Sequence, residues 1–167
     1  METYKDPSKP VEERVEDLLK RMTLEEKIGQ MCQYSAHMGL SERLKELVRK
    51  GLAGSLLNAI GVENVNEIQR VAMEESRLGI PLILGFDVIH GYKTIFPIPL
   101  ALASSWDPEV VERAESLAAR EAAAEGVRWT FAPMLDIARD PRWGRIAEGF
   151  GEDPYLASAM AWAAVKG

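Results

Sequence analysis

The feature that most constrains this chain is an alternation of short apolar runs with amphipathic helical stretches. The runs fall at 54–58 (Gly-Ser-Leu-Leu-Asn), 80–86 (Ile-Pro-Leu-Ile-Leu-Gly-Phe) and 127–135 (Val-Arg-Trp-Thr-Phe-Ala-Pro-Met-Leu), between turn-forming residues. Each reads as a strand, and the run at 54–58 suits a buried one. A further strand is expected at 30–34. Elsewhere the period becomes helical. Val11, Val15, Leu18, Leu19 and Met22 share one face of a first helix over 11–22. Thr23 and Glu26 are spaced as a capping box, each side chain placed to satisfy the other residue's free N–H, and open a second. A third spans 42–50, with Leu44, Leu47 and Val48 inward and Gly51 as its stop. Residues 62–77 are helical in pattern. Asp107-Pro108 and Asp153-Pro154 open two more helices, with the acid as cap and proline where a missing N–H costs nothing. The first of these ends at Gly126 and the second continues to the chain end. Strands alternating with helices predict a parallel α/β fold of three or four βα units.

Charge and composition narrow the function classes. The formal net charge is −6, from 26 acids against 20 bases, so nucleic acid and anionic membranes are not expected partners. The densest basic stretch, Arg139, Arg142 and Arg145, is interleaved with Asp136, Asp140 and Glu148. No apolar run approaches the roughly 20 residues needed to cross a bilayer, and the first residues do not read as a secretory signal. A soluble, cytoplasmic chain is expected as given, with secretion of a longer precursor left open. Cys32 has no internal disulfide partner and is expected to be a buried thiol. Trp106, Trp129, Met31, Met134 and Met160 are expected to pack. With two histidines and one cysteine far apart, no metal spacing exists. Gly149-Phe-Gly151 lacks the third glycine of a dinucleotide fingerprint, so no cofactor is expected.

The polar residues gather after strand ends. Asp87 and His90 follow one strand, and Asp136, Arg139, Asp140, Arg142 and Arg145 follow the next. Parallel α/β folds bind ligands beyond the carboxyl ends of their strands, so both segments are expected on one face. From the residues alone, Asp87 reads as a turn or cap residue before it reads as a binding one. Arg145 can be a structural partner of Glu148 or Glu152, and Arg139 and Arg142 can brace their loop through Asp136 or Asp140. His90 and Trp143 can be packing residues.

Two segments carry a resemblance. One is 85–106, with Asp87-Val-Ile-His90-Gly and Phe96-Pro-Ile-Pro-Leu-Ala-Leu-Ala-Ser-Ser-Trp106. The other is 138–154, with Arg139-Asp-Pro-Arg142-Trp143-Gly-Arg145 and Glu148-Gly-Phe-Gly-Glu-Asp-Pro154. Together with the opening helix at 22–30 they resemble glycoside hydrolase family 3, in its β-glucosidase-like branch. The resemblance implies an α/β fold of parallel βα units forming about half of a TIM-type (βα)8 barrel, preceded by N-terminal helices. On this reading 1–167 is a single, partial barrel domain. It implies a retaining exo-β-glycosidase with a β-glucoside or oligosaccharide as partner. It also implies that the nucleophile, the acid/base and a sugar-holding Lys-His pair lie further along, so no catalytic residue is assigned here. What carries over is sugar binding: Asp87 and Arg145 first, with His90, Trp143 and Arg142 as further candidates. Two alternatives stay open: an excised or engineered half-barrel without catalysis, self-assembling through exposed sheet edges, and an enzyme of the same family acting on β-xylosides.

Overall fold

The computed structural model describes residues 2–167 and divides into two units, one ending at Ile83 and one from Leu84 to Gly167. In the first unit, α1 (Val11–Arg21) leads to α2 (Leu24–Gln30). The expected capping box is formed: the Glu26 N–H donates to Thr23 Oγ1 at 3.2 Å and the Thr23 N–H to Glu26 Oε2 at 2.9 Å. β1 (Gln33–Ser35) and β2 (Ser55–Leu57) pair in parallel, with Tyr34 opposite Leu56, across the crossover helix α3 (Glu42–Arg49). Gly54 lets α2 lie against the start of β2, since a Cβ there would sit 2.1 Å from the Gln30 carbonyl oxygen. α4 (Val62–Arg70) runs into a π-helical stretch over Val71–Glu75. Leu56, Ile68 and Val71 are fully buried, and Leu44, Val48 and Leu82 are buried core residues of the same unit.

β3 (Ile83–Phe86) begins on the last residue of the first unit. In the second, it pairs in parallel with β4 (Trp129–Thr130), Gly85 opposite Trp129 and Phe86 opposite Thr130. Between them lie α5 (Pro99–Ala103) and α6 (Pro108–Ala124), and α7 (Pro154–Lys166) follows β4. Both Asp-Pro starts act as read from the sequence: Asp107 accepts from the Glu109 N–H at 3.0 Å and Asp153 from the Leu156 N–H at 2.7 Å. Val111 of α6 and Met160 of α7 meet in one core cluster with Leu102 and Phe150. A second joins Val88, Ala118, Ala122 and Val127.

Several expectations are corrected. The run 127–135 yields only the two strand residues of β4. Pro133 has no N–H for a ladder, and the Ala132 N–H turns back onto Thr130 Oγ1 at 3.2 Å. The segment between β3 and α6 holds the unforeseen helix α5. Trp106, Trp129 and Met31 are exposed at 76%, 42% and 79%, against the packing expected of them. Trp106 has φ 57°, a conformation rare for a bulky residue, at the turn between α5 and α6. Val11, Val15 and Leu19 of α1 are also exposed, because helical periodicity defines an apolar face without saying what covers it. Cys32 is half-buried rather than buried. Met160 is fully buried, as expected.

One half-buried ionisable group is expected to make stability depend on pH. Glu115 of α6 lines an apolar cavity of ≈ 300 Å³ with Val88, Ala119, Ala122, Val127 and Trp129. Burial pushes its carboxyl up from 4.5 to about 7. The raised value means the fold prefers the protonated form. The contribution is therefore intact below 4.5, is lost as pH rises from there to about 7, and is constant above. Unscreened, that rise corresponds to about 3 kcal/mol; with solvent reaching part of the side chain, about 1–2 kcal/mol is expected. Glu115→Gln should therefore raise the unfolding free energy read from urea titrations by that amount at pH 8, and shift the midpoint accordingly, and leave both nearly unchanged at pH 4.5. Equal midpoints at both pH values would refute the assignment.

Candidate functional site

Asp87 is the first residue beyond the carboxyl end of β3, where the strand stops pairing and the chain turns outward. It lines a cleft of ≈ 480 Å³ with His90, Tyr92, Ile95, Pro99 and Glu148. Its side chain is exposed and makes no hydrogen bond or ion pair among the described residues. His90 sits in the same wall, with Nδ1 buried and without a hydrogen-bond partner among the described residues. So the cleft carries one carboxylate without a partner, and the residue beside it in the wall holds one buried ring nitrogen without one.

The loop carrying them is held from several sides. The Phe96 N–H donates to the His90 carbonyl at 2.8 Å, and Gly91 and Ile95 form an antiparallel bridge. Gly91 has φ 115°, and a Cβ there would lie 2.0 Å from the Thr94 carbonyl oxygen, so only glycine fits. From α6, Glu121 accepts from the Lys93 N–H at 2.9 Å, the Thr94 N–H at 2.8 Å and Thr94 Oγ1 at 2.7 Å. Those bonds, the Thr94 N–H first, hold its carboxyl below the ordinary value. Tyr92 packs edge-on against Phe86 at 5.4 Å and donates its hydroxyl to Glu125 at 2.7 Å. Burial, then Glu125, pushes that hydroxyl well up. Lys93 pairs with the same Glu125. α6 thus fixes the loop on which Asp87 and His90 sit.

The second polar loop, from 136 to 151, closes on itself where the Ala138 N–H meets the Gly151 carbonyl at 3.0 Å. Arg142 donates to Asp140 through Nε at 3.0 Å and Nη2 at 2.6 Å, and its side chain is 88% exposed. It braces its own turn, and Trp143 joins that turn through its N–H to the Asp140 carbonyl at 3.1 Å. Neither lines the cleft. Arg145 donates to Glu148 through Nε at 3.1 Å and Nη2 at 2.6 Å. Glu148, and more weakly Asp136 and Asp87, push its guanidinium still further up, so Asp87 and Arg145 share one field. The structure therefore brings Asp87, His90 and Glu148 into one cleft, with Arg145 joined to it through Glu148. Sequence reading missed Tyr92 and Glu121 because their partners lie about thirty residues away along the chain. Among the described residues no cluster of three or more His, Cys, Asp or Glu is arranged to hold a metal. No helix among them is long and apolar enough to cross a membrane.

Residues 23–167 match the model of the glycosyl hydrolase family 3 N-terminal domain. The chain belongs to glycoside hydrolase family 3. Among its relatives, a periplasmic β-glucosidase of Salmonella typhimurium is 45% identical over 153 residues, covering 91% of this chain and 20% of that protein. A putative β-xylosidase of Formosa agariphila is 35% identical over 98% of the chain and 24% of its own length. The β-glucosidase of Listeria innocua, solved with isofagomine, superposes with a TM-score of 0.82 at 45% identity, over 93% of this chain and 22% of that one. The family 3 chain thus spans about a fifth to a quarter of the length of these proteins. The β-glucosidase-like resemblance read from the two motif segments and the α/β fold are both borne out.

Proposed function

We propose that this family 3 segment supplies the sugar-binding part of a retaining exo-β-glycosidase acting on terminal β-linked glucose. Asp87 and Arg145 grip its hydroxyls, and the nucleophile and acid/base come from outside residues 1–167. In the same reading the two units are parts of one (βα)8 barrel domain. The observation that carries it is the unpaired Asp87 carboxylate in a cleft at the end of β3. A carboxylate accepts two hydroxyl hydrogen bonds at once, and charged acceptors make the stronger bonds. A site built on such bonds rejects sugars that lack the hydroxyl, because the carboxylate is then left unmatched. Arg142 and Trp143 serve the site by shaping the loop, and His90 presents Nδ1 to its wall.

The test is a hybrid in which this chain replaces the matching segment of the Listeria innocua β-glucosidase. The hybrid is expected to hydrolyse nitrophenyl β-glucoside, and the isolated, folded chain is expected not to. Turnover by the isolated chain that disappears on replacing Asp87 or Glu148 would place the reacting carboxylates within it. The Formosa agariphila relative, named a putative β-xylosidase, favours one second reading. A hybrid preferring nitrophenyl β-xyloside would establish it. Isolated, the chain is also expected to self-associate through its strand edges, which sedimentation at rising concentration reads directly.

A further inference from the structure

We propose that Glu148 is a positioning residue of this site: it holds the Arg145 guanidinium by one edge and so aims the remaining donors at the sugar. The inference rests on the reading of Asp87 and Arg145 as sugar contacts. A guanidinium offers five N–H donors in a rigid plane. Glu148 takes the side edge: Arg145 Nε lies 3.1 Å from each carboxylate oxygen and Nη2 lies 2.6 Å from Oε2. That leaves the end-on fork of Nη1 and Nη2, which makes no other hydrogen bond among the described residues. Two neighbouring hydroxyls of a pyranose match such a fork.

Two observations favour aiming over fold stability. First, the pair is open to water, with side-chain exposures of 56% for Arg145 and 30% for Glu148, and pairs of this kind contribute little to stability. Second, Glu148 lines the cleft with Asp87, so the arginine it holds is tied to the wall that carries the other site carboxylate. The Asp87 carboxylate already acts on Arg145 through space. Without Glu148, the guanidinium is drawn toward Asp87 and occupies the acceptor meant for the sugar. The device is local: the short turn at Ile146–Glu148 begins with the Glu148 N–H donating to the Arg145 carbonyl at 3.1 Å, which brings the two side chains together.

A double-mutant cycle in the hybrid enzyme tests this, with Glu148→Gln, Arg145→Ala and the double variant compared on nitrophenyl β-glucoside. Glu148→Gln should lower kcat/KM on the order of tenfold beside Arg145 and less than about twofold in the Arg145→Ala background, a coupling of the usual size for contacting groups. The loss should shrink for the deoxyglucoside lacking the hydroxyl that Arg145 grips, which a merely structural role would not produce. Equal losses in both backgrounds would overturn the inference, as would a silent Glu148→Gln beside an impaired Arg145→Ala. A silent Arg145→Ala would instead sink the sugar-binding reading of Arg145, and the inference with it. Should Glu148→Gln not fold, Glu148→Asp, one methylene too short to keep the geometry, reads the same coupling. The isolated chain offers an independent check: the Arg145 Nε–H nuclear resonance should be protected from exchange in the parent and exposed in Glu148→Gln. No difference between the two would also overturn it.

Discussion

Asp87→Asn in the hybrid β-glucosidase is expected to lower kcat/KM by on the order of 10² to 10³-fold, with the larger share in kcat. The magnitude follows from the bonds at stake. Hydrogen bonds to a charged acceptor contribute roughly 1.5–3 kcal/mol each, and Asp87 has room for two. Asparagine keeps one acceptor of the same shape but no charge, and presents an N–H₂ where a hydroxyl donor points. About 3–4 kcal/mol is then lost, and each 1.36 kcal/mol is about tenfold in rate. The loss falls on kcat because hydroxyl contacts tighten as the ring flattens toward an oxocarbenium-like transition state. The fold should not suffer, since Asp87 makes no hydrogen bond or ion pair among the described residues. Unfolding midpoints equal to the parent, measured beside the kinetics, separate the two effects. A kcat/KM within twofold of the parent would remove Asp87 from the sugar site.

What could be read from the sequence, and what could not, divides by range. Helix starts at Thr23, Asp107 and Asp153 were legible because a cap is settled within three residues of chain. The strand before Asp87 was legible because an apolar run ends sharply in a charged residue, although Pro81, which cannot donate to a ladder, delays the pairing to Ile83. α5 was hidden in a segment rich in proline and glycine, yet Pro99 there is a helix starter rather than a breaker. The grip of Glu121 and Glu125 on residues 92–94 was beyond reach, because no local pattern tells which face of a helix meets which loop. Exposure of Trp106, Trp129 and Met31 was misread for the same reason: apolar character marks what can be buried, not what is. The candidate site followed the same division. Asp87 was singled out by its place at a strand end and by the resemblance, and the partners open to Arg142 and Arg145 were legible from their spacing, whereas the choice of Asp140 and Glu148 among them needed the folded loop.

The capping box points to the largest effect on stability. Glu26 does more than close the first turn of α2. Only 8% of its surface is exposed, and its carboxylate also accepts from Arg77 Nε at 3.0 Å, 51 residues on. Arg77 Nη2 in turn donates to the Arg21 carbonyl at 2.8 Å. One carboxylate thus ties the junction of α1 and α2 to the segment following α4. Glu26→Ala leaves the Thr23 N–H without its acceptor, worth about 1 kcal/mol as a lost cap interaction. It also removes a charge-assisted bond, discounted because the Arg77 side chain is half exposed and water can take it up. The sum is about 2 kcal/mol, against roughly half that for Glu26→Gln, which keeps the shape and one acceptor. The pH dependence separates charge from shape. Arg77, and then the Thr23 N–H, hold the Glu26 carboxyl below its ordinary 4.5 despite its burial. A lowered value means its stabilisation is present above 4.5 and is lost as pH falls through the folded value. In urea titrations from pH 7 to pH 3, the parent should therefore lose more stability than Glu26→Gln, and the two curves should converge in acid. Curves that stay parallel would show that the pair contributes no charge-dependent stability, and that Glu26 acts through its shape alone.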